Sequence, residues 1–214
     1  MAEPVDLNRL LPDARAFLAE LAANNDRDWF KANKSRYDSD LKRPSEKLLA
    51  QIANWMGDTL GVTPRTKLFR PHRDVRFAED KTPYHIHLHM MWSLPDGRAW
   101  MLGVSPEYAT LGAGMMGFEP AQLDRWREAV ASDHGAALAD MIAKVGWRVD
   151  APALQRVPSP YPADHPREEL LRHKGFVAWR DNLDEGLALD PEDTIKQAIT
   201  HLAPLMDWLG DEVA

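Results

Sequence analysis

The stretch RPHRDVRFAEDKTPY at residues 70–84 concentrates groups that bind charge and move protons: Arg70, Arg73, Arg76 and Lys81 stand among Asp74, Glu79, Asp80 and Tyr84. Four cations in so short a span reverse the sign of a chain whose formal net charge is -7. Arginine forks hold a carboxylate or phosphate through paired hydrogen bonds, lysine adds a point charge, and a tyrosine phenol can give or take a proton. The stretch therefore reads as a pocket for a small anionic compound. Arg70, Arg73, Arg76 and Lys81 would bind the ligand; Tyr84 and Asp74 are the candidate catalytic groups, with Asp74 orienting a guanidinium or acting as a base. The competing reading is structural, with the same arginines bridging carboxylates of neighbouring helices.

Directly downstream, His85, His87 and His89 alternate along HIHLHMMW. On a strand they would leave one face about 6.5–7 Å apart in succession. Neutral imidazoles at i and i+2 can converge on one ion, and Glu107 is expected within reach, so a metal-dependent hydrolase built on His85, His87, His89 and Glu107 is the second reading. Its plain counterpart is a polar strand face. Two further motifs carry less. GAGMMG at 112–117 has the letters of the dinucleotide fingerprint, but it falls in or after an antiparallel strand and Pro120 separates it from the next helix. Close backbone packing or a strand bulge explains those glycines better. Ser105 faces His87 in the expected hairpin, yet it has no glycine elbow to make it a nucleophile.

The elements that would position these residues follow from the hydrophobic period. Leu10, Ala14, Phe17, Leu18 and Leu21 give a helix over about 12–23, ended at Asn24 or Asn25. Asn25 or Asp26 can cap a second helix carrying Phe30, Tyr37 and Leu41, which Pro44 is expected to break. Leu48, Leu49, Ile52, Trp55, Met56 and Leu60 mark a third, ended by Gly61. From residue 66 the period becomes alternating. Residues 66–77 read as extended, with Val75 and Phe77 on one side and Arg70, His72, Asp74 and Arg76 on the other. The 81–83 segment is a turn, and Pro95, Asp96 and Gly97 close a hairpin that pairs Leu94 with Arg98. That register sets Trp92 opposite Trp100, Met90 opposite Leu102 and Leu88 opposite Val104, one wholly apolar face. A third strand follows at 108–116. Helices return at about 120 and 133–145. Five prolines between 150 and 167 require a long loop, helical character resumes at 167–174, and a last helix opens at Asp190 with the stripe Ile195, Ile199, Leu202, Leu205, Met206 and Leu209.

Composition sets the outer bounds. With 214 residues, 44% hydrophobic and 28% charged, the chain can bury a substantial core. The absence of cysteine excludes disulfides, thiolate catalysis and cysteine-ligated metals, and suits a cytoplasmic location. The acidic N-terminus does not read as a secretory signal, and no apolar run is long enough for a membrane span. A pI of about 5.6 disfavours a nucleic-acid partner.

Taken together, the blocks NNDRDWFKANKSRYD, RPHRDVRFAEDKTPYH, LGAGMMGFEP and YPADHPREELLRHKGF resemble, in that order, the family of domain of unknown function 2461. The resemblance implies signature positions at Arg70, Arg73, Asp74, Arg76, Phe77, Lys81, Pro83 and Tyr84, and brings no activity, cofactor or catalytic residue with it. The expected fold is α+β: one globular domain over 1–214, with an antiparallel β-meander at 66–117 flanked by N-terminal helices at 10–61 and by C-terminal helices and the proline-rich loop at 120–214. The expected function is an intracellular enzyme or ligand-binding domain for a small anionic compound. The alternatives are the metal-dependent hydrolase and a non-catalytic module that binds a partner through the proline-rich loop.

Overall fold

Asn24 and Asp26 divide the first two helices in the computed structural model, which describes residues 6–214; residues 1–5, the start of the acidic N-terminal stretch, lie outside it. Asn24 closes α1 (Leu10–Ala23), and the Asp26 carboxylate accepts from the backbone N–H groups of Asp28 and Trp29, both at 2.9 Å, to cap α2 (Arg27–Ala32). The break expected at Pro44 does not occur. Helix α3 (Lys34–Arg36) runs through a π-helical segment, Tyr37–Lys42, into α4 (Arg43–Leu60), with Pro44 in its first turn. A proline cannot donate to the preceding turn and its ring crowds the carbonyl four residues back; the wider π turn, closed by Arg43 N–H to Asp38 O, relieves both conflicts. Gly61, at φ +67°, then ends α4 in the left-handed region.

The strands are β1 (Arg65–Leu68), β2 (Leu88–Ser93), β3 (Ala99–Val104), β4 (Ala109–Met115), β5 (Arg148–Val149) and β6 (Phe176–Arg180), in the sheet order β1-β2-β3-β4-β6-β5. The sheet is antiparallel, so the class is α+β with helices before and after it. The hairpin register is the expected one: Leu94 N–H donates to Arg98 O at 2.8 Å, and Gly97 has φ +95°. Leu88, Met90, Trp92, Trp100, Leu102 and Val104 are all buried. The remaining helices are α5 (Pro120–Ala131), α6 (Asp133–Val145), α7 (Glu168–Leu171), α8 (Asp184–Leu189) and α9 (Pro191–Glu212). The apolar stripe foreseen on α9 is buried throughout.

The first strand differs from expectation. β1 ends at Leu68, and residues 70–87 form no regular strand apart from an isolated bridge between His72 and Tyr84. Val75 and Phe77 do not face a core; Phe77 is 96% exposed. Pro71 and Pro83 cannot donate to a ladder, and two aspartates compete for the backbone: Asp74 accepts from Arg76 N–H and Asp80 from Thr82 N–H. Regular structure on the following strand begins only at Leu88.

The chain forms two compact units. The first, Met1–Trp92 with Met101–Leu111 and Asp181–Ala198, has an aromatic cluster at its heart: Phe17, Phe30, Tyr37 and Tyr84. Trp92 is fully buried there and donates its indole N–H to Leu49 O at 3.0 Å. The second unit, Ser93–Trp100 with Gly112–Arg180 and Ile199–Ala214, is built around Trp126, which meets Phe118, Phe176 and Trp208 and donates to Leu170 O. Its proline-rich segment is an ordered loop: Leu154 N–H donates to Arg172 O, and the Arg167 guanidinium donates to Val130 O and Ala131 O. Gly112 and Gly114 of GAGMMG serve packing against β6. A Cβ on Gly114, at φ +150°, would lie 2.0 Å from Phe176 O, and one on Gly112 would lie 2.6 Å from the Trp179 ring.

Candidate functional site

The block after α1 and the arginine-rich block of the first unit are joined by the side chain of Asn25 and by the ring of Phe30. Asn25, immediately after α1, accepts from Tyr84 N–H at 3.1 Å and donates its amide to Tyr84 O at 2.9 Å, so it pairs with the backbone as a neighbouring strand would. Behind this bracket the Tyr84 ring is 6% exposed, stacked on Phe30 at 4.1 Å and 16° and edged by His72 at 5.0 Å. The chain around it is pinned by Arg73 N–H to Pro83 O at 2.8 Å and His85 N–H to Pro71 O at 2.7 Å.

These contacts frame a cleft of about 440 Å³ lined by Ala22, Asn25, Arg73, Asp80, Thr82, Tyr84, His85, Ile86 and His87. Arg73 is its one arginine among the described residues. The guanidinium is largely covered and anchors through Nη1 to the Asp80 carboxylate and to the hydroxyl and carbonyl of Thr82. Among the described residues Nε and Nη2 have no protein acceptor. Asp80 is held ionised, its carboxyl lowered to about 2 by the Thr82 backbone N–H first, then by Arg73 and the Thr82 hydroxyl.

The other expected ligand residues lie elsewhere. Arg76 is exposed and paired with Asp74 at 2.6 Å, an ion pair between residues two apart. That pairing lowers the Asp74 carboxyl. Lys81 donates to Val75 O at 3.1 Å, and Arg70 is exposed. None of these four lines the cleft. Of Arg70, Arg73 and Arg76, Arg73 lines this cleft, and the ion pairs of Arg73 and Arg76 are with Asp80 and Asp74, inside their own segment.

The histidines form a pile. His85 and His87 stack at 4.7 Å and 29°, His87 and His89 at 3.8 Å and 15°. The far end is closed by the edge of Phe69 and by the Tyr108 hydroxyl, 3.1 Å from His89 Nε2. The planes of stacked rings run alongside one another, whereas three ligands of one ion must aim a nitrogen in the plane of each ring at a common point about 2.0–2.1 Å away. Among the described residues no group of three or more His, Asp or Glu is placed to hold a metal ion. Ser105 is a turn residue: its hydroxyl accepts from the N–H groups of Glu107 and Tyr108.

Burial lowers all three imidazoles, aided by Arg73 at His85, by His89 and His85 at His87, and by His85 at His89; His87 falls to about 4. The pile is neutral at pH 7. An unfolded His87 takes its proton near pH 6.5, the folded one near 4. The stability contributed by keeping it neutral is therefore whole above pH 6.5 and is lost as pH falls toward 4. Allowing for its partial exposure, the loss is about 1–3 kcal/mol, or roughly 2–12 °C in Tm. Thermal melts at pH 7.5 and 4.5 should show a drop smaller by that amount in His87→Gln than in wild type; equal drops would place the acid sensitivity elsewhere.

Asn25, Asp80 and Thr82 are the site residues that sequence reasoning passed over. Asn25 looked like a helix end, and the signal that could have raised it was its place in the NNDRDWF block. A family model described as a conserved hypothetical protein (DUF2461) matches residues 13–208. No curated protein matches the chain with significance.

Proposed function

The chain belongs to the DUF2461 family, whose description as conserved hypothetical protein supplies no activity, and from the site itself we propose that it binds a small anionic compound in the cleft of the first unit. The observation that carries this reading is the half-used guanidinium of Arg73: one nitrogen fixes the side chain, while Nε and Nη2 remain for a ligand at the wall of a cleft of about 440 Å³. A cleft of that volume suits a small molecule. Charge-assisted bonds to such a fork contribute about 1.5–3 kcal/mol. Tyr84 forms a buried wall, so its role is to shape the cleft, and Asp74, paired with Arg76 outside it, has no part in binding.

Calorimetric titration with acetate, benzoate, succinate and inorganic phosphate tests the proposal. At least one should bind one to one, Arg73→Gln should weaken it roughly 10- to 100-fold at an unchanged fold, and Arg76→Gln should leave it within about twofold. Failure of every anion to bind, or equal weakening by both substitutions, would overturn it.

A further inference from the structure

The cleft has a wall suited to one shape of ligand and a charge balance suited to one valence. The histidine pile is blocked at the His89 end by Phe69 and Tyr108, but at the other end His85 meets no further aromatic ring among the described residues, and His85 and His87 both line the cleft. A planar ring entering there extends the series by one step, in the offset geometry that flat π systems prefer. Arg73 lines the same cleft, so the ring's acidic substituent can reach the free edge of the guanidinium. Asp80 already balances the Arg73 charge within the cleft. A single carboxylate can share the fork with Asp80, whereas a dianion or polyphosphate would face that carboxylate with no second Arg or Lys on the cleft wall among the described residues.

We infer that the cleft takes a planar aromatic monocarboxylate, its ring stacked on His85 and its carboxylate on Nε and Nη2 of Arg73. The inference rests on the anion-binding reading and narrows it to a ligand class. Neutral imidazoles suit the role, since they offer a flat face without adding charge.

Benzoate and cyclohexanecarboxylate have the same charge and nearly the same size but differ in planarity, and terephthalate adds a second carboxylate to the aromatic ring. Titrations of the full-length protein should rank benzoate two- to tenfold tighter than cyclohexanecarboxylate, the range expected of one stacking contact, and terephthalate weaker than benzoate. His85→Ala should erase the preference for the flat ring while Arg73→Gln weakens both monocarboxylates together. Should His85→Ala misfold, the wild-type protein still reports: benzoate ring protons should move upfield on binding, from the ring current of His85. Equal affinities for the two monocarboxylates with no upfield shift, or a preference for terephthalate, would overturn the aromatic monocarboxylate and leave anion binding standing. No binding of any of the three, together with the failure of acetate, succinate and phosphate, would remove both.

Discussion

Gly114→Ala should lower the melting temperature by roughly 6–20 °C, corresponding to about 3–5 kcal/mol at 2–4 °C per kcal/mol for a chain of this length. Two independent penalties add. At φ +150° an alanine adopts backbone that L side chains rarely enter, and its Cβ would sit 2.0 Å from Phe176 O and 2.8 Å from Val177 Cα, so β6 itself would have to move. Gly112→Ala provides the contrast. Its Cβ would meet the ring of Trp179, a half-exposed side chain that can rotate away, and the cost should be about 1–2 kcal/mol. A melting curve showing Gly112→Ala as the more damaging change would contradict the packing account of the glycine run.

Phe30→Ala is expected to be comparably severe, about 3–5 kcal/mol, because it empties a buried ring position at the centre of the first unit. Phe30 touches Phe17, Tyr37, His72 and Tyr84, and its stacked contact with Tyr84 fixes the residue whose backbone Asn25 brackets. Loss should therefore appear twice, as a lower Tm and as weaker anion binding at temperatures where the protein is still folded. Phe30→Leu should recover most of the Tm, since a large apolar side chain still fills the site, and only part of the binding, since the flat contact with Tyr84 is gone. Binding unaffected in both variants would separate the aromatic cluster from the cleft.

Regular, locally determined structure was legible in the sequence. The Leu94–Arg98 register came from a turn and an apolar alternation that agree with each other, and helices with a 3.6-residue stripe, such as α4 and α9, lie where the stripe puts them. What escaped was short or depends on distant partners. β5 has two residues and β6 five, and Phe176–Arg180 lacks the alternation that marks a half-exposed strand. At 70–84 the charged residues do alternate, but the alternation meant nothing for pairing: Asp74 and Asp80 turn the backbone locally, and only Arg73 of the four cations reaches the cleft. His85, His87 and His89 do lie side by side, as stacked rings. Their ring planes were beyond sequence, because stacking or splaying depends on neighbours such as Phe69 and Tyr108.

The order in which the first unit's pieces occur along the chain bears on how it is made. Its closing segment, Asp181–Ala198, is separated from Met1–Trp92 by most of the second unit. Arg15 of α1 pairs with Asp184 and also donates to Ser105 O, and the buried Leu10 and Leu11 line a small apolar gap with Leu187 and Pro191. A nascent chain synthesised at about 5–20 residues per second leaves the N-terminal helices without these partners for roughly 10–40 s. During translation, the N-terminal helices of the cleft-bearing unit must wait with their apolar stripe unsheathed until Asp181–Ala198 has been made, while the continuous run Gly112–Arg180 can collapse sooner.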